Sequence, residues 1–232
     1  MHKLSILIPV YNEIATLEEI VRRVRQVELD CPREVVVVDD GSTDGSREWL
    51  KEAEEGPDGE LRVFFHETNR GKGAAVRTAL EHAEGDIVIV QDADLEYDPA
   101  DYPKLMAPIL ADEADVVYGS RYLEGRGGEP MGVYYIGNRV LTLLSNLVNG
   151  MKLSDMETCY KAFRGEVASG LNLRANAFEF EPEFTAKIAR RKLRVVEVPV
   201  SYARRTRREG KKITWKDFIS AVIAIFRYRF SD

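Results

Sequence analysis

Five short apolar runs, dense in β-branched residues and almost free of polar alternation, constrain this chain more than any other feature. They lie at 4–10 (LSILIPV), 34–40 (EVVVVDD), 61–66 (LRVFFH), 86–91 (DIVIVQ) and 115–119 (DVVYG). Strands buried on both faces read this way. Between them, 13–27, 43–54, 71–84 and 100–111 carry apolar residues at helical spacing. Asp39-Asp40-Gly41-Ser42-Thr43-Asp44 ends one strand and supplies cap residues for the next helix. The alternation predicts an α/β fold: a doubly wound, mostly parallel sheet flanked by helices, with its ligand crevice at the strand carboxyl ends.

The second half is patterned differently. Residues 124–132 hold four glycines and a proline, which reads as a loop, and 131–151 has a long helical pattern. A further strand is expected within 157–164, a helix over 179–191 and a strand over 194–202. A loop rich in Arg and Lys then precedes an amphipathic helix, 214–229. Neither a repeat nor a low-complexity linker interrupts the 232 residues, so a single domain is expected.

Charge is unevenly spread. The chain carries −6 overall, yet 187–232 carries +10 against −16 for the residues before it. A basic end of this kind suits anions. No zinc-finger spacing, interleaved aromatics or recognition-helix pattern accompanies it, so nucleic acid is a poor partner. Phosphates on a small donor, or a phospholipid surface, fit better. The longest apolar run, 218–226, is half a membrane span. With no signal-peptide pattern at the start and only Cys31 and Cys159, the expected location is intracellular and reducing.

The strongest chemical signal is Gln91-Asp92-Ala93-Asp94-Leu95-Glu96, where the fourth strand ends. Asp92, Asp94 and Glu96 offer hard oxygen ligands suited to Mg²⁺ or Mn²⁺, with a diphosphate filling the remaining positions. Acidic residues after strands are also common as solvated loops. What strengthens the metal reading is company: Pro9-Val10-Tyr11-Asn12-Glu13, Asp39-Asp40 and Asn69-Arg70-Gly71-Lys72-Gly73 follow the first three strands. In a doubly wound sheet these ends converge, placing an aromatic, carboxylates and a basic glycine-rich turn around one ligand. The chain lacks a phosphate-binding GxxxxGK[ST] loop, a GxGxxG turn after the first strand and a GxSxG elbow.

Taken together, PVYNE at 9–13, VVDDGSTD at 37–44, NRGKGAA at 69–75, DADLEYDP at 92–99 and YGSRY at 118–122 resemble family 2 glycosyltransferases of the GT-A fold. SDMETCYK at 154–161 and the loop from Arg205 to Lys212 are similar to the dolichol- and polyprenyl-phosphate mannosyl- and glucosyltransferase branch. The resemblance implies a nucleotide-sugar-binding half at 1–120 and an acceptor half at 121–232. It implies that Pro9, Tyr11 and Glu13 line the nucleotide and that Asp40 accepts from the base. Asp92 and Ala93 would then contact ribose and sugar, with Lys72 on the same ligand, while Asp94 holds the metal with Glu96 and Arg121 holds a phosphate.

A phosphate acceptor is already an anionic nucleophile, so the catalytic demand is to neutralise two converging anions. Arg121, Arg205 and Lys211 are suited to that, with Arg126, Arg139, Arg207 and Lys212 as further candidates; Arg207 is the alternative to Arg205 as the phosphate contact. Asp155 would be a base for a hydroxyl acceptor or, with Glu157, would orient acceptor or sugar; the plain alternative is a helix cap and a solvated carboxylate. The implied reaction is inverting, metal-dependent transfer of a hexose from a UDP- or GDP-sugar to a polyprenyl phosphate, at the cytoplasmic face of a membrane. A soluble or glycan hydroxyl acceptor, or a silent nucleotide-sugar-binding module, are the rivals. The last helix, with Trp215, Phe218, Ile219, Val222, Ile223, Phe226 and Phe230 at helical spacing, would either lie in the membrane interface or pack as core.

Overall fold

The computed structural model describes residues 2–54, 61–125, 132–205 and 215–231. The expected alternation is present: β1 (Leu4–Val10), α1 (Ile14–Gln26), β2 (Arg33–Asp39), α2 (Ser46–Glu54), β3 (Leu61–Phe65), α3 (Lys72–His82) and β4 (Ile87–Val90). A 3₁₀ turn, Pro99–Asp101, leads into α4 (Tyr102–Leu110), followed by β5 (Val116–Ser120) and α5 (Val133–Asn149). The rest is β6 (Lys161–Arg164), α6 (Gly165–Ser169), α7 (Phe180–Arg190), β7 (Val195–Pro199) and α8 (Trp215–Phe230).

One seven-stranded sheet runs β3-β2-β1-β4-β6-β5-β7. The strand order reverses at β1, which pairs in parallel with β2 on one side and β4 on the other. That reversal opens a crevice beyond the carboxyl ends of β1 and β4. β6 is the antiparallel member: it enters between β4 and β5, with Val88 opposite Phe163 and Val117 opposite Ala162. β7 then pairs in parallel with β5. The expected halves, 1–120 and 121–232, therefore share one sheet, because two of its seven strands come from the second.

Ile6, Leu7, Ile8, Val35 to Val38 and Ile87 to Val90 are buried throughout, as continuous apolar strands between two helical layers require. α3 lies close on this sheet because its inner face is small: Gly73, Ala74, Ala75 and Ala79 are all buried. The glycines of the Arg70-Gly-Lys-Gly turn are set by a neighbour 100 residues away. Gly71 has φ +96°, and a Cβ there would run into the Asn176 carbonyl; one on Gly73 would meet that of Ala175. Their smallness admits that backbone, and Gly71 also lines the cleft described below.

α7 is buried along Phe180 to Ile188, including Glu181, Glu183 and Lys187. Glu183 is structural: its carboxylate accepts from the N–H groups of Arg174 and Ala175 and pairs with Lys187 at 2.9 Å. α8 packs on α7 and α5 through Ala221, Ala224, Ile225 and Tyr228. Its large apolar residues point the other way, with Trp215 70%, Ile223 60% and Phe230 77% exposed. The core reading holds for Val222, which packs against the core, but not for Trp215, Phe218, Ile219, Ile223, Phe226 and Phe230, which the helix leaves exposed while Ala221, Ala224, Ile225 and Tyr228 face inward. α5 repeats the arrangement, leaving Val133, Ile136, Val140, Leu143 and Leu147 exposed.

Candidate active site

The four strand ends converge as the topology demands. A cleft of about 1220 Å³ is lined by Pro9, Tyr11, Glu13, Asp40, Lys72, Asp92, Ala93, Asp94, Glu96, Arg121, Glu157 and Arg205, among others. Of the residues singled out from sequence, Arg207 and Lys211, with Arg126 and Lys212, lie outside the described residues. Arg139 is turned to the carbonyl of Ser154 at 2.7 Å.

The loop after β2 is stitched to the loop after β1. Asp44 accepts from the N–H of Ile14 at 3.0 Å, so the cap expected for its own helix also serves the start of α1. Ser42 accepts from Asn12 N at 3.0 Å, and Asn12 accepts from Thr43 N at 2.8 Å. Asp40 holds the next loop: Oδ1 accepts from Arg70 N at 2.9 Å and contacts His66 Nδ1 at 2.7 Å, while Oδ2 accepts from Gly71 N at 2.7 Å. What Asp40 retains for a further donor is the second lone pair of Oδ2.

The acidic triplet is differentiated by its partners. Asp92 faces Lys72 Nζ with both oxygens, at 2.8 and 3.1 Å. Burial opposes its ionisation, but Lys72 holds it below the usual carboxylate range. Glu96 accepts from the Tyr202 hydroxyl at 3.0 Å and from Arg205 N at 2.7 Å, and an isolated bridge joins Tyr97 to Tyr202. Asp94 receives Arg205 Nη2 at 2.7 Å, and the same guanidinium reaches Glu13 at 2.8 Å. Burial and then the charges of Asp92 and Glu96 push Asp94 up to about 7. Its negative charge is under-compensated, which is the condition a hard divalent cation relieves. No group of three His, Cys, Asp or Glu side chains among the described residues surrounds one point. A cation here would therefore take few ligands from protein and the rest from a diphosphate, as Mg²⁺ commonly does.

Arg121, on the loop after β5, lines the cleft with its charge already partnered. Its Nε and Nη2 each lie 2.7 Å from Asp155, whose carboxylate also accepts from Arg121 N at 3.1 Å and from Asn138 Nδ2 at 3.2 Å. The guanidinium sits 5.3 Å from the Tyr122 ring centre and 5.0 Å from that of Tyr202. Asp155 is wholly buried behind it, and its N–H belongs to Glu197 at 3.2 Å. Four donated hydrogen bonds leave it badly placed to accept a substrate proton, so it is neither a cap nor an open base.

Glu157 is the carboxyl that does open on the cleft. Its Oε1 is buried without a hydrogen-bond partner. Burial first, then the charge of Glu181, push it up to about 8. An acid raised in the folded state makes stability fall as pH rises, from the unfolded value near 4.5 to about 8. Glu157→Gln, which removes the ionisation and keeps the shape, is expected to stabilise the fold at pH 8 by on the order of 2 kcal/mol and by almost nothing at pH 4. Denaturant unfolding at the two pH values checks this; an equal effect at both would refute it.

Glu181, Asn138, Tyr97 and Tyr202 also reach this region and were not distinguished in the sequence. Glu181 and Asn138 sit in ordinary helical patterns; the aromatic pair Tyr97 and Tyr202 is separated by more than 100 residues.

This arrangement has counterparts. A model of glycosyl transferase family 2 matches residues 5–171. The chain belongs to glycosyl transferase family 2. Its family relatives include the glycosyltransferase AglJ of Haloferax volcanii, 31% identical over 198 residues, 85% of this chain and 62% of that protein. The dolichol-phosphate mannosyltransferase of Pyrococcus furiosus is 32% identical over 218 residues, 90% of this chain and 59% of that one. An undecaprenyl-phosphate 4-deoxy-4-formamido-L-arabinose transferase of Edwardsiella ictaluri is 30% identical over 212 residues, 89% and 62% of the two chains. This chain thus spans between 59% and 62% of the length of these three relatives. Among solved structures, glucosyl-3-phosphoglycerate synthase of Mycobacterium tuberculosis, in complex with Mn²⁺, UDP and phosphoglyceric acid, superposes with TM-score 0.73 at 20% identity. It covers 100% of this chain and 80% of its own. That likeness establishes the GT-A-like fold.

Proposed function

We propose that this family 2 chain transfers a hexosyl group from a UDP- or GDP-sugar to a polyprenyl phosphate, with inversion and with Mg²⁺ or Mn²⁺. The observation that carries the proposal is continuity: one cleft runs from the acidic loop and Arg121 onto an apolar wall built by α5 and α8. Val133, Ile136, Val140, Phe218 and Ile219 line that wall within the same cleft. A soluble hydroxyl acceptor would have no use for it, whereas a lipid phosphate needs a polar site for its head beside an apolar path for its tail. Two of the relatives are named for dolichol phosphate and undecaprenyl phosphate.

In this reading an acceptor phosphate oxygen attacks the anomeric carbon from the face opposite the diphosphate. The bond from that carbon to the diphosphate oxygen breaks, the electron pair leaves with the nucleoside diphosphate, and the anomeric centre inverts. The acceptor is ionised near neutral pH, so no proton needs removing. The engagement of Asp155 by Arg121 fits that economy, and its role is to aim the guanidinium at phosphate. A divalent ion held at Asp94, with Glu96 beside it, would neutralise charge on the leaving diphosphate. Pro9, Tyr11 and Asp40 bound the base, while Lys72 and Asp92 lie toward ribose and sugar.

The exposed rows of α5 and α8 extend this wall to the protein surface. Arg227 and Arg229 stand in the last turn of α8. An apolar face with basic neighbours suits docking on an anionic bilayer surface. No helix among the described residues is long and apolar enough to cross a membrane. The direct experiment is nucleoside diphosphate release from UDP- and GDP-sugars with Mn²⁺, with and without a short polyprenyl phosphate. Release at least about tenfold faster with the lipid is expected. Release indifferent to lipid would assign a hydroxyl acceptor, and none from any donor would leave a binding module.

A further inference from the structure

One arginine stands where the acidic loop and the loop after β1 meet. Arg205, in the segment following β7, places Nη2 2.7 Å from Asp94 and Nη1 2.8 Å from Glu13. The other oxygen of Asp94 accepts from Glu96 N at 3.1 Å, so both oxygens of the carboxylate proposed to hold a cation are already engaged. The backbone beneath the arginine is pinned separately: Arg205 N donates to the Glu96 carboxylate at 2.7 Å, Ala203 N to the Glu96 carbonyl at 2.7 Å and Ser201 N to Asp101 at 2.6 Å. The side chain can therefore leave its carboxylates by rotating about its own bonds while the chain stays in place. Its Nε is buried without a hydrogen-bond partner, so this pose follows the carboxylates and leaves one donor unsatisfied.

We propose that Arg205 is the resident occupant of the Asp94 site: its guanidinium holds Asp94 and Glu13 until a divalent ion displaces it, so that binding of the ion releases the arginine into the cleft. This rests on the divalent-cation reading above and names what the ion must replace. A guanidinium and a metal ion on one carboxylate repel each other, and the ion brings two positive charges where the arginine brings one. Arg205 already lines the cleft, so the displaced side chain stays among the groups that would meet a phosphate. The rival use of the same contacts is a permanent brace between the two loops. The two differ in sign: removing a brace weakens metal binding, whereas removing an occupant strengthens it.

Titration of Mn²⁺ by electron paramagnetic resonance, alone and with UDP or GDP, tests this in wild type and Arg205→Gln, with the fold of the variant checked by circular dichroism. Arg205→Gln is expected to bind Mn²⁺ alone at least about tenfold more tightly than wild type, the factor set by an occupant present about nine-tenths of the time. Nuclear magnetic resonance of the arginine side chains reads the exchange itself. The Arg205 Nε–H signal, assigned by its absence from Arg205→Gln, should shift when wild type is saturated with Mg²⁺. Equal or weaker Mn²⁺ binding in Arg205→Gln would overturn the exchange and make the arginine a brace, with the cation reading left standing. Tighter binding alongside an unmoved Arg205 signal would also overturn it, reducing the arginine to a repelling neighbour. Should Arg205→Gln not fold, the Mg²⁺ titration of wild type carries the decision, its signal assigned from Arg205→Lys. Failure of both proteins to bind Mn²⁺, with or without nucleotide, would remove the cation reading and this inference with it.

Discussion

Arg121→Ala should lower folding stability by about 3–5 kcal/mol at neutral pH, the cost of leaving one partner of a buried ion pair uncompensated. Asp155 is the partner left behind, wholly buried, with only Asn138 and one N–H to stabilise its charge. Burial alone would raise the Asp155 pKa; the Arg121 guanidinium overrides that and holds it below the usual carboxylate value. A depressed acid contributes stability above its unfolded pKa near 3.8 and loses the contribution as pH falls through the lower folded value. The difference between wild type and Arg121→Ala should therefore be largest at pH 7 and shrink in acid, where the orphaned Asp155 takes a proton. The double variant Arg121→Met, Asp155→Leu should recover much of the loss, since it buries no charge. Thermal unfolding across pH 3–7 decides the matter. A pH-independent deficit, or a double variant no better than the single, would refute the pair as the cause. Activity should fall in the double variant even where the fold recovers, because the proposed acceptor phosphate then loses the Arg121 guanidinium.

Asp94→Asn is expected to cost at least about 100-fold in transfer and to abolish the dependence of donor binding on Mn²⁺. The expectation comes from the asymmetry of the triplet. Asp92 is occupied by Lys72 and Glu96 by Tyr202 and the Arg205 backbone, leaving Asp94 as the carboxylate paired with a guanidinium that Glu13 also claims. Titration of Mn²⁺ by electron paramagnetic resonance, with and without UDP or GDP, reads the site independently of turnover. Asp94→Asn binding metal and nucleotide as tightly as wild type would place the cation elsewhere.

Much of this was legible in the chain itself. Continuous apolar runs located β1 to β5 within about two residues, and the helices between them followed from their spacing. The convergence of the Tyr11, Asp40, Lys72 and Asp92 loops followed from topology, because strand ends in a doubly wound sheet have only one crevice to share. What was not legible depended on pairing across long sequence distances. A four-residue strand such as Lys161–Arg164 carries no mark that it will run antiparallel between β4 and β5. Asp155 looked equally like a base, a cap or an orienting group until Arg121 was seen to fill both its oxygens. Gly71 and Gly73 suggested ligand contact, yet their size is dictated by residues 175–177. The outward turn of Trp215, Ile223 and Phe230 was hidden because an amphipathic pattern reveals two faces without saying which one meets protein.

The insertion of β6 has a consequence for how the protein is made. When the first 120 residues have left the ribosome, β4 and β5 exist but cannot pair with each other, since the slot between them belongs to a strand some 40 residues further on. Each holds a bare edge toward that slot until Lys161–Arg164 arrives and zips to both. The cleft-lining loops on β1 to β4 can assemble early, whereas Arg121 at the end of β5 is fixed only after synthesis has passed Asp155. Arg121 is thus set in place later than the loops on β1 to β4, and a nascent chain is held incomplete on that side of the cleft until the sheet closes.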